Sequence, residues 1–517
     1  MEIKTRVIKG QYHDSVSLML AAKKMKKVDG VVDAAVVMGT DANKALLNQA
    51  GLLTKEAQSA SADDLVISVK KDKEADALLS QVDDFLISEI NSETGSQKKK
   101  PQSIRSAVRF DHTINLAEIS VAGAYAAREA REALASGLHV LLFSDNVSLE
   151  DEISLKKYAV SQGLLMMGPG AGTAFINGVG LGFANALPAG QVGIVSAAGT
   201  GLQEVSTILA WAGIGVSQAI GTGGRDLSEN VGGLMAIAGI EALIEDEQTK
   251  MIVLVSKPAD AAVIGKILNI LKRGKKESVI CTLGATFDQI QDENIHFTRT
   301  LEECALRAAT IMGAKLPDFQ AFIQTEKAKQ QAQANELRTK LGPEQKFIRG
   351  LYSGGTLCYE AQVIWKELLT EPVFSNAPLE KKNTIKEKGS PEFHTALDLG
   401  EEEFTVGRPH PMIDNDLRMR YISMAGSDPT TAVIVMDVMI GYGAHPDPGL
   451  ELGKAIRLAK KDAERQGRTL IVIVCVTGTK DDPQNLTETK RKLKEAGAIV
   501  CDTNAQSARL AGMVVTS

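Results

Sequence analysis

The sequence predicts an α/β protein with parallel sheets in three successive units, the second and third sharing one plan. Three observations carry this. Apolar, β-branched runs alternate with helical patterns through nearly the whole chain. The runs are continuously apolar rather than alternating, as strands buried on both faces of a parallel sheet are. One turn also occurs twice, as "QVGIVSAAGTGLQEV" at 191–205 and "FIRGLYSGGTLCYEA" at 347–361. Each copy has an apolar strand, small residues, Gly-Thr, and a helical stretch with Glu four places after the Thr.

The first unit is assigned to residues 1–188. Weaker strands come first, "AAVVMGT" and "DDLVISV"; the polar stretch 91–103, "NSETGSQKKKPQS", reads as an exposed loop. Then "AEISVAG", a helix, "LHVLLFSD", a helix and "LLMMGPG" follow as strand–helix–strand–helix–strand, with Gly137 and Gly163 as helix stops. The second unit, 189–324, places "QVGIVS", "SQAIGTGGRD", "KMIVLVSKP" and "ESVICTLG" as strands between helices. Residues 325–345 form a polar linker, helical or extended. The third unit, 346–517, repeats the second with "FIRGLYS", "TALDLGEEEF", "TAVIVMDVMIGYG" and "RTLIVIVCVTGTKDD". The loop "RDLSENVGG" of one unit occupies the place of "EEFTVGRPHPMID" in the other.

Composition narrows the class. The chain has 517 residues, 44% hydrophobic and 24% charged, with a net charge of −6. Such a balance gives no basic field for nucleic acid, and no run approaches membrane-spanning length. The five cysteines, at 281, 304, 358, 475 and 501, fit neither a disulfide framework nor a zinc site. A reduced cytoplasmic protein with buried thiols is the expectation, with no metal.

A Gly-Thr turn that opens a helix makes an anion seat. The first amides of a helix have no intrahelical partner and carry partial positive charge; glycines admit a ligand to the backbone, and Thr adds a hydroxyl. Ser196, Gly199, Thr200 and Gly201 form one candidate seat. Ser353, Gly354, Gly355 and Thr356 form the other. Both lie at carboxyl ends of strands, where open parallel sheets bind ligands. Arg225 and Asp226 read either as anion contacts or as the start of a surface helix. In "GRPHPMID", His410 stands between two prolines, with Arg408 as an anion fork and Asp414 as an orienting carboxylate. His410 and Asp414 are therefore the catalytic candidates, against the alternative of a rigid structural corner. His445 is a weaker candidate. Gly10, Gly39 and Gly168 are weak cofactor-binding candidates, since "GQYHDSVSL" has a strand–Gly–helix form without GxGxxG.

The stretches "HVLLFSDNVSLEDEISLKKYAVSQGLLMMGPG", "GIVSAAGTGLQE" and "AIGTGGRD" resemble the α subunit of succinyl-CoA synthetase. That resemblance implies a Rossmann-like CoA-binding domain followed by a flavodoxin-like ligase domain. The last unit resembles the β subunit's ligase domain. Together with "KGQYHDSVSLML", "MGTDANKALL", "LYSGGTL" and "VGRPHPMID", the chain is similar to the FdrA family over nearly its whole length. In the synthetases, two such helices face one phosphohistidine, so the resemblance implies a two-sided site. Here the loop after the last strand of the second unit, "GATFDQIQDENIHFTRT", lacks the synthetase Gly-His-Ala-Gly motif, although His296 is near. The acidic synthetase loop is replaced by "VSKPAD", and Gly-Pro-Asn-Cys by "GPGAGT". With no ATP-grasp domain, a self-sufficient ATP-dependent ligase is not expected.

The resemblance therefore implies a subunit of a transferase handling an acyl or carbamoyl phosphate, in the oxamate–oxalurate exchange of allantoin breakdown. The alternatives are an acid–CoA ligase with a separate ATP-binding partner, or a non-catalytic scaffold. No cofactor is certain; CoA is the candidate. Expected partners are phosphate, an acyl or carbamoyl phosphate, a small carboxylate and other protein subunits, with homodimerisation following the usual symmetry of soluble oligomers.

Overall fold

The computed structural model describes residues 2–11, 13, 15–71, 78–79, 101–285, 292–315, 319–385, 393–405 and 409–516. It is an α/β structure with several parallel sheets. The chain divides into two compact units, Met1–Gln102 with Glu402–Pro409, and Ser103–Glu401 with His410–Ser517.

The N-terminal unit corrects the first expectation. Residues 1–102 are not the first half of a Rossmann-like domain. Strands Glu2–Ile8, Leu65–Lys71 and Val31–Met38 form an antiparallel sheet with Leu65–Lys71 in the middle. Its helix Ser15–Lys26 contributes Leu18 and Met25 to a core with Val36, Ile67 and Val69. The signal was present in Glu2–Ile8, "EIKTRVI", whose charged and apolar residues alternate as in a strand with one wet face. Most of the expected loop, 91–100, lies outside the described residues.

In the second unit, a short parallel sheet joins Leu116–Ile119, His139–Leu142 and Met166–Met167. The boundary expected at 188 moves. Strands Thr173–Ile176 and Val179–Gly182 form a hairpin that pairs antiparallel with Val216–Gly221 of the next sheet. That sheet runs Ile295–Thr298, Glu277–Thr282, Met251–Ser256, Ala189–Ser196, Val216–Gly221, then the hairpin. The last sheet runs Val373–Ser375, His394–Asp398, Phe347–Tyr352, Thr431–Met439, Ile471–Thr477, Ile499–Cys501, all parallel. Setting aside the hairpin and the Val373–Ser375 edge, both sheets have the flavodoxin-like order 2-1-3-4-5. The duplicated turn thus follows the first strand of each sheet, at the switch point of strand order.

The helices that follow those turns, Gly199–Trp211 and Gly355–Leu368, pack together with Leu301–Ile311 and Asn504–Val515. Val205, Leu209, Leu301, Ala305, Leu357, Ala361, Trp365 and Ala508 belong to one continuous core there. The connection expected as a linker is mostly the helix Phe319–Arg338. Its Gln330 side chain donates to the Gln506 carbonyl, and Arg338 reaches the carbonyls of Met513 and Val514. Four of the five cysteines are buried and Cys501 is half-buried; all are free thiols. Among the described residues, no helix is long and apolar enough to cross a membrane.

The glutamates four places after each Thr close this core reciprocally. Glu204 Oε1 accepts from the Asn504 amide at 2.8 Å, and Oε2 accepts from Thr477 Oγ1. Glu360 Oε1 accepts from the Leu301 amide at 2.7 Å, and Oε2 accepts from Asn504 Nδ2 at 2.7 Å. Each carboxyl thus caps the last helix of the other domain. Glu302 lies between them, bonded to Thr503, Gln506 and Arg509. Burial is the main cause that pushes Glu204 up to about 6 and Glu360 up to about 8.

Two predictions follow from these caps. The folded chain binds protons that the unfolded chain has already lost, so stability is greatest at low pH and falls as pH rises through the raised values. His394 and His410, pushed down to about 4 by burial, act with the opposite sign only up to their ordinary value of 6.5. Asp398, raised to about 7, acts with the same sign as the glutamates, so the window that belongs to Glu360 lies above that value and ends near its own folded value, about 8. There, unfolding free energy falls with pH by up to about 1.4 kcal/mol per unit per proton, and Glu360→Gln flattens the slope in denaturant melts. Glu204→Leu leaves the Asn504 amide and Thr477 hydroxyl without their acceptor and costs about 1–3 kcal/mol, read as a lower denaturation midpoint.

Candidate functional site

The two Gly-Thr turns meet. A methyl built on Gly354 would lie 2.7 Å from Thr200 Cγ2 and 2.8 Å from Thr200 Oγ1. One built on Gly201 would lie 2.9 Å from Thr356 Cγ2. Each turn's threonine therefore packs on the other turn's glycine, and larger residues would drive the helix ends apart. Thr200 is 8% exposed, and its Oγ1 has no hydrogen-bond partner among the described residues. A buried hydroxyl without a partner is costly and points to a group that is absent here.

The two serines brace the turns instead of facing a ligand. Ser196 Oγ donates to the Ala198 carbonyl and accepts from the Ala198 amide. Ser353 gives both its amide and its hydroxyl to Asp437, each at 2.8 Å. Arg418, fully buried, neutralises Asp437 through a contact at 3.2 Å. Gly199 has open space beside it, with Thr173 Oγ1 the nearest atom at 3.9 Å.

His410 belongs to this locality. A methyl on Gly400 would meet His410 Nε2 at 2.8 Å, the Ser353 carbonyl at 2.8 Å and Asp398 Oδ1 at 3.2 Å. Its Nδ1 accepts from the Met412 amide at 3.2 Å, and its ring lies 5.6 Å from that of Phe183. Met412 holds Nδ1, while Asp414 Oδ1 accepts from the Asp416 amide at the start of helix Asp416–Ser427. Burial, then the charge of Arg418, pushes His410 down to about 4. At neutral pH the ring is uncharged, with Nδ1 accepting and the proton on Nε2.

Other candidates fall elsewhere. Arg225 pairs with Glu152 at 2.8 Å and donates to the Val147 carbonyl. Asp226 is buried; it accepts from Lys156 and from the Met235 and Ala236 amides, capping helix Leu234–Glu245. These two therefore stabilise the junction with the short parallel sheet. His445 is held by the Asp447 amide and Glu451, and His296 by Glu277. Arg408 lies outside the described residues. Gly10 and Gly39 both close on Asp64 or its carbonyl in the N-terminal unit, and Gly168 lies in the other unit.

Sequence reasoning missed two residues. Lys257 follows strand Met251–Ser256, and Asp398 ends strand His394–Asp398. A methyl on Gly355 would lie 2.3 Å from Asp398 Oδ2 and 3.1 Å from Lys257 Nζ. Lys257 stands in "VSKPAD", the stretch that replaces an acidic synthetase loop; that replacement was the available signal.

The residues at the ends of the short parallel sheet do not fit a CoA cradle. Added methyls on Gly123, Gly168 and Gly170 would strike Leu142, at the end of strand His139–Leu142, or Asp145 in the loop after it, at 2.2–2.4 Å. Those glycines serve internal packing.

Residues 1–103 match the family described as "AllF, heavy metal-associated domain", and residues 351–514 match the CoA-ligase family. Residues 1–103 contain no cysteine, and among the described residues no cluster of His, Cys, Asp or Glu could hold a metal ion. The donor set therefore does not fit a thiolate metal site. Among solved structures, PH0766 from Pyrococcus horikoshii OT3 is 15% identical with a TM-score of 0.28, covering 82% of this chain and 86% of that one. ATP citrate lyase from Methanothrix soehngenii, in complex with citrate and coenzyme A, is 17% identical with a TM-score of 0.31, covering 42% and 38%. The YahF protein of Escherichia coli (strain K12) is 41% identical over 513 residues, spanning 99% of this chain and 98% of the relative. The chain thus belongs to the YahF family and joins an AllF-type N-terminal domain to a CoA-ligase domain.

Proposed function

We propose that this protein is an FdrA-type subunit of a multi-subunit transferase that handles a carbamoyl or acyl phosphate, exchanging carbamoyl groups between oxamate and oxalurate in allantoin breakdown. One observation carries the reading. Two helix N-termini from two related domains converge, glycine against threonine, beside a buried hydroxyl that lacks a partner. Paired helix ends supply backbone N–H donors and positive potential for a phosphoryl group and for charge developing on a transferred acyl oxygen. The neutral His410, with its proton on Nε2, is a donor to the same group. The AllF-type match over 1–103 supports the link to allantoin breakdown.

An acid–CoA ligase using a separate ATP-binding partner is the second reading. The CoA-ligase match over 351–514 favours it. CoA-dependent turnover without any dependence on phosphate would select it over the transferase.

Thr200→Val tests the seat directly. The hydroxyl has no internal partner, so its loss leaves the midpoint of unfolding unchanged or slightly higher. Phosphate affinity, by titration calorimetry, drops about tenfold, the scale of one lost hydrogen bond to a charged group. Gly354→Val separates the two turns and removes phosphate binding. Unchanged phosphate affinity in both variants would dismiss the seat. In the reconstituted complex, His410→Ala lowers turnover about 100-fold, the scale of a lost oxyanion donor. His410→Gln keeps an N–H and retains part of it. Wild-type turnover in His410→Ala would return this residue to a structural corner.

A further inference from the structure

We propose that Lys257 and Asp398 form a working pair across the seat, the lysine holding the anion's charge and the Asp398 carboxyl moving the proton of the transfer. This rests on the transferase reading and adds the residues that make its chemistry run. Each domain supplies one partner. Lys257 follows the third strand of the first ligase-like sheet, and Asp398 ends the second strand of the other. Both reach the amide end of helix Gly355–Leu368, within 3.1 Å of a single point above Gly355.

Asp398 is built to stay put. Its amide donates to Asn376 Oδ1, its carbonyl accepts from Asn376 Nδ2, and its Oδ1 accepts from the Gly400 amide at 3.0 Å. That leaves Oδ2 turned toward Gly355 and Lys257. Lys257 makes no hydrogen bond or ion pair of its own among the described residues, so its ammonium is available to a ligand. The charged and titratable groups around Asp398 are Lys257, Glu401, Asp437, the neutral His410 and the buried Cys358 thiol, which the Asp398 charge helps push up. Burial pushes the Asp398 carboxyl up to about 7; Lys257 opposes the rise, while Glu401 and Asp437 add to it. A carboxyl poised there takes and returns a proton at working pH.

The step balances without any further reagent. The attacking amide nitrogen forms a bond to the carbamoyl carbon. The bond from that carbon to the phosphate oxygen breaks, and its electron pair stays on the phosphate. Asp398, as carboxylate, takes the proton that the nitrogen loses. It returns that proton to the leaving phosphate, which departs as hydrogen phosphate.

The test uses the full-length chain, with sulfate and inorganic phosphate as probes in titration calorimetry. Sulfate keeps its charge across the range, so any pH dependence belongs to the protein. Between about pH 8 and about pH 6, sulfate affinity rises about tenfold as Asp398 is neutralised, the scale of removing one nearby like charge. Asp398→Asn abolishes that rise. Lys257→Met weakens sulfate and phosphate at least about tenfold, and Lys257→Arg restores most of it. In the reconstituted complex, Asp398→Asn lowers kcat with KM retained, while Lys257→Met chiefly raises KM. A carboxyl-carbon NMR titration assigned by the Asp398→Asn difference gives a midpoint near 7 and does not depend on turnover. Phosphate binding that is sensitive to Thr200→Val but indifferent to Lys257→Met overturns the pair and leaves the seat. A carboxyl midpoint below about 5, the ordinary range, overturns the proton role. No phosphate binding by the wild type overturns both readings.

Discussion

A helix N-terminus buried between two domains leaves amides that water cannot reach. Besides the two ends that form the seat, the ends at Leu301 and Asn504 lie in this interface, and both donate a hydrogen bond across it. Glu360 reaches the first and Glu204 the second. Each bond crosses from one domain to the other, so both caps form together only when the domains dock in this register. The surrounding apolar core, with Trp365 fully buried and its indole donating to the Ala508 carbonyl, supplies area but little directional preference. The caps supply the direction. Because Glu204 and Glu360 stand one helical turn behind Thr200 and Thr356, fixing the glutamates also fixes where the threonines meet.

The seat inherits its chemistry from that docking. A dry contact between domains strengthens every charge inside it. His410 is kept neutral, the Asp398 carboxyl is held near neutrality, and Asp437 is paired with Arg418 and bonded to Ser353. Lys257 remains as the counter-charge. The site is thus shaped less by any one motif than by the loops that end neighbouring strands of two sheets.

Much of this was legible in the sequence. The duplicated turn, the glutamates spaced after it and the parallel ligase-like units all follow from local pattern, because a strand–turn–helix unit is written in consecutive residues. The N-terminal unit was misread because "AAVVMGT" and "DDLVISV" are as apolar as parallel strands. Only the alternation in Glu2–Ile8 betrayed the antiparallel partner. The roles of Lys257 and Asp398 were not legible. Each is an ordinary residue at a strand end, and what makes the pair is 140 residues of intervening chain folding back. Asp226, which accepts from the first amides of helix Leu234–Glu245, shows the converse. Polar residues at helix starts look alike in sequence whether they cap a helix or hold a ligand.

The two faces of the seat belong to one polypeptide, joined through the helix Phe319–Arg338, which is itself anchored on the terminal helix by Gln330 and Arg338. A seat divided between separate chains would empty on dilution as its halves parted. Here the halves meet at a fixed, high effective concentration whatever the amount of protein in solution.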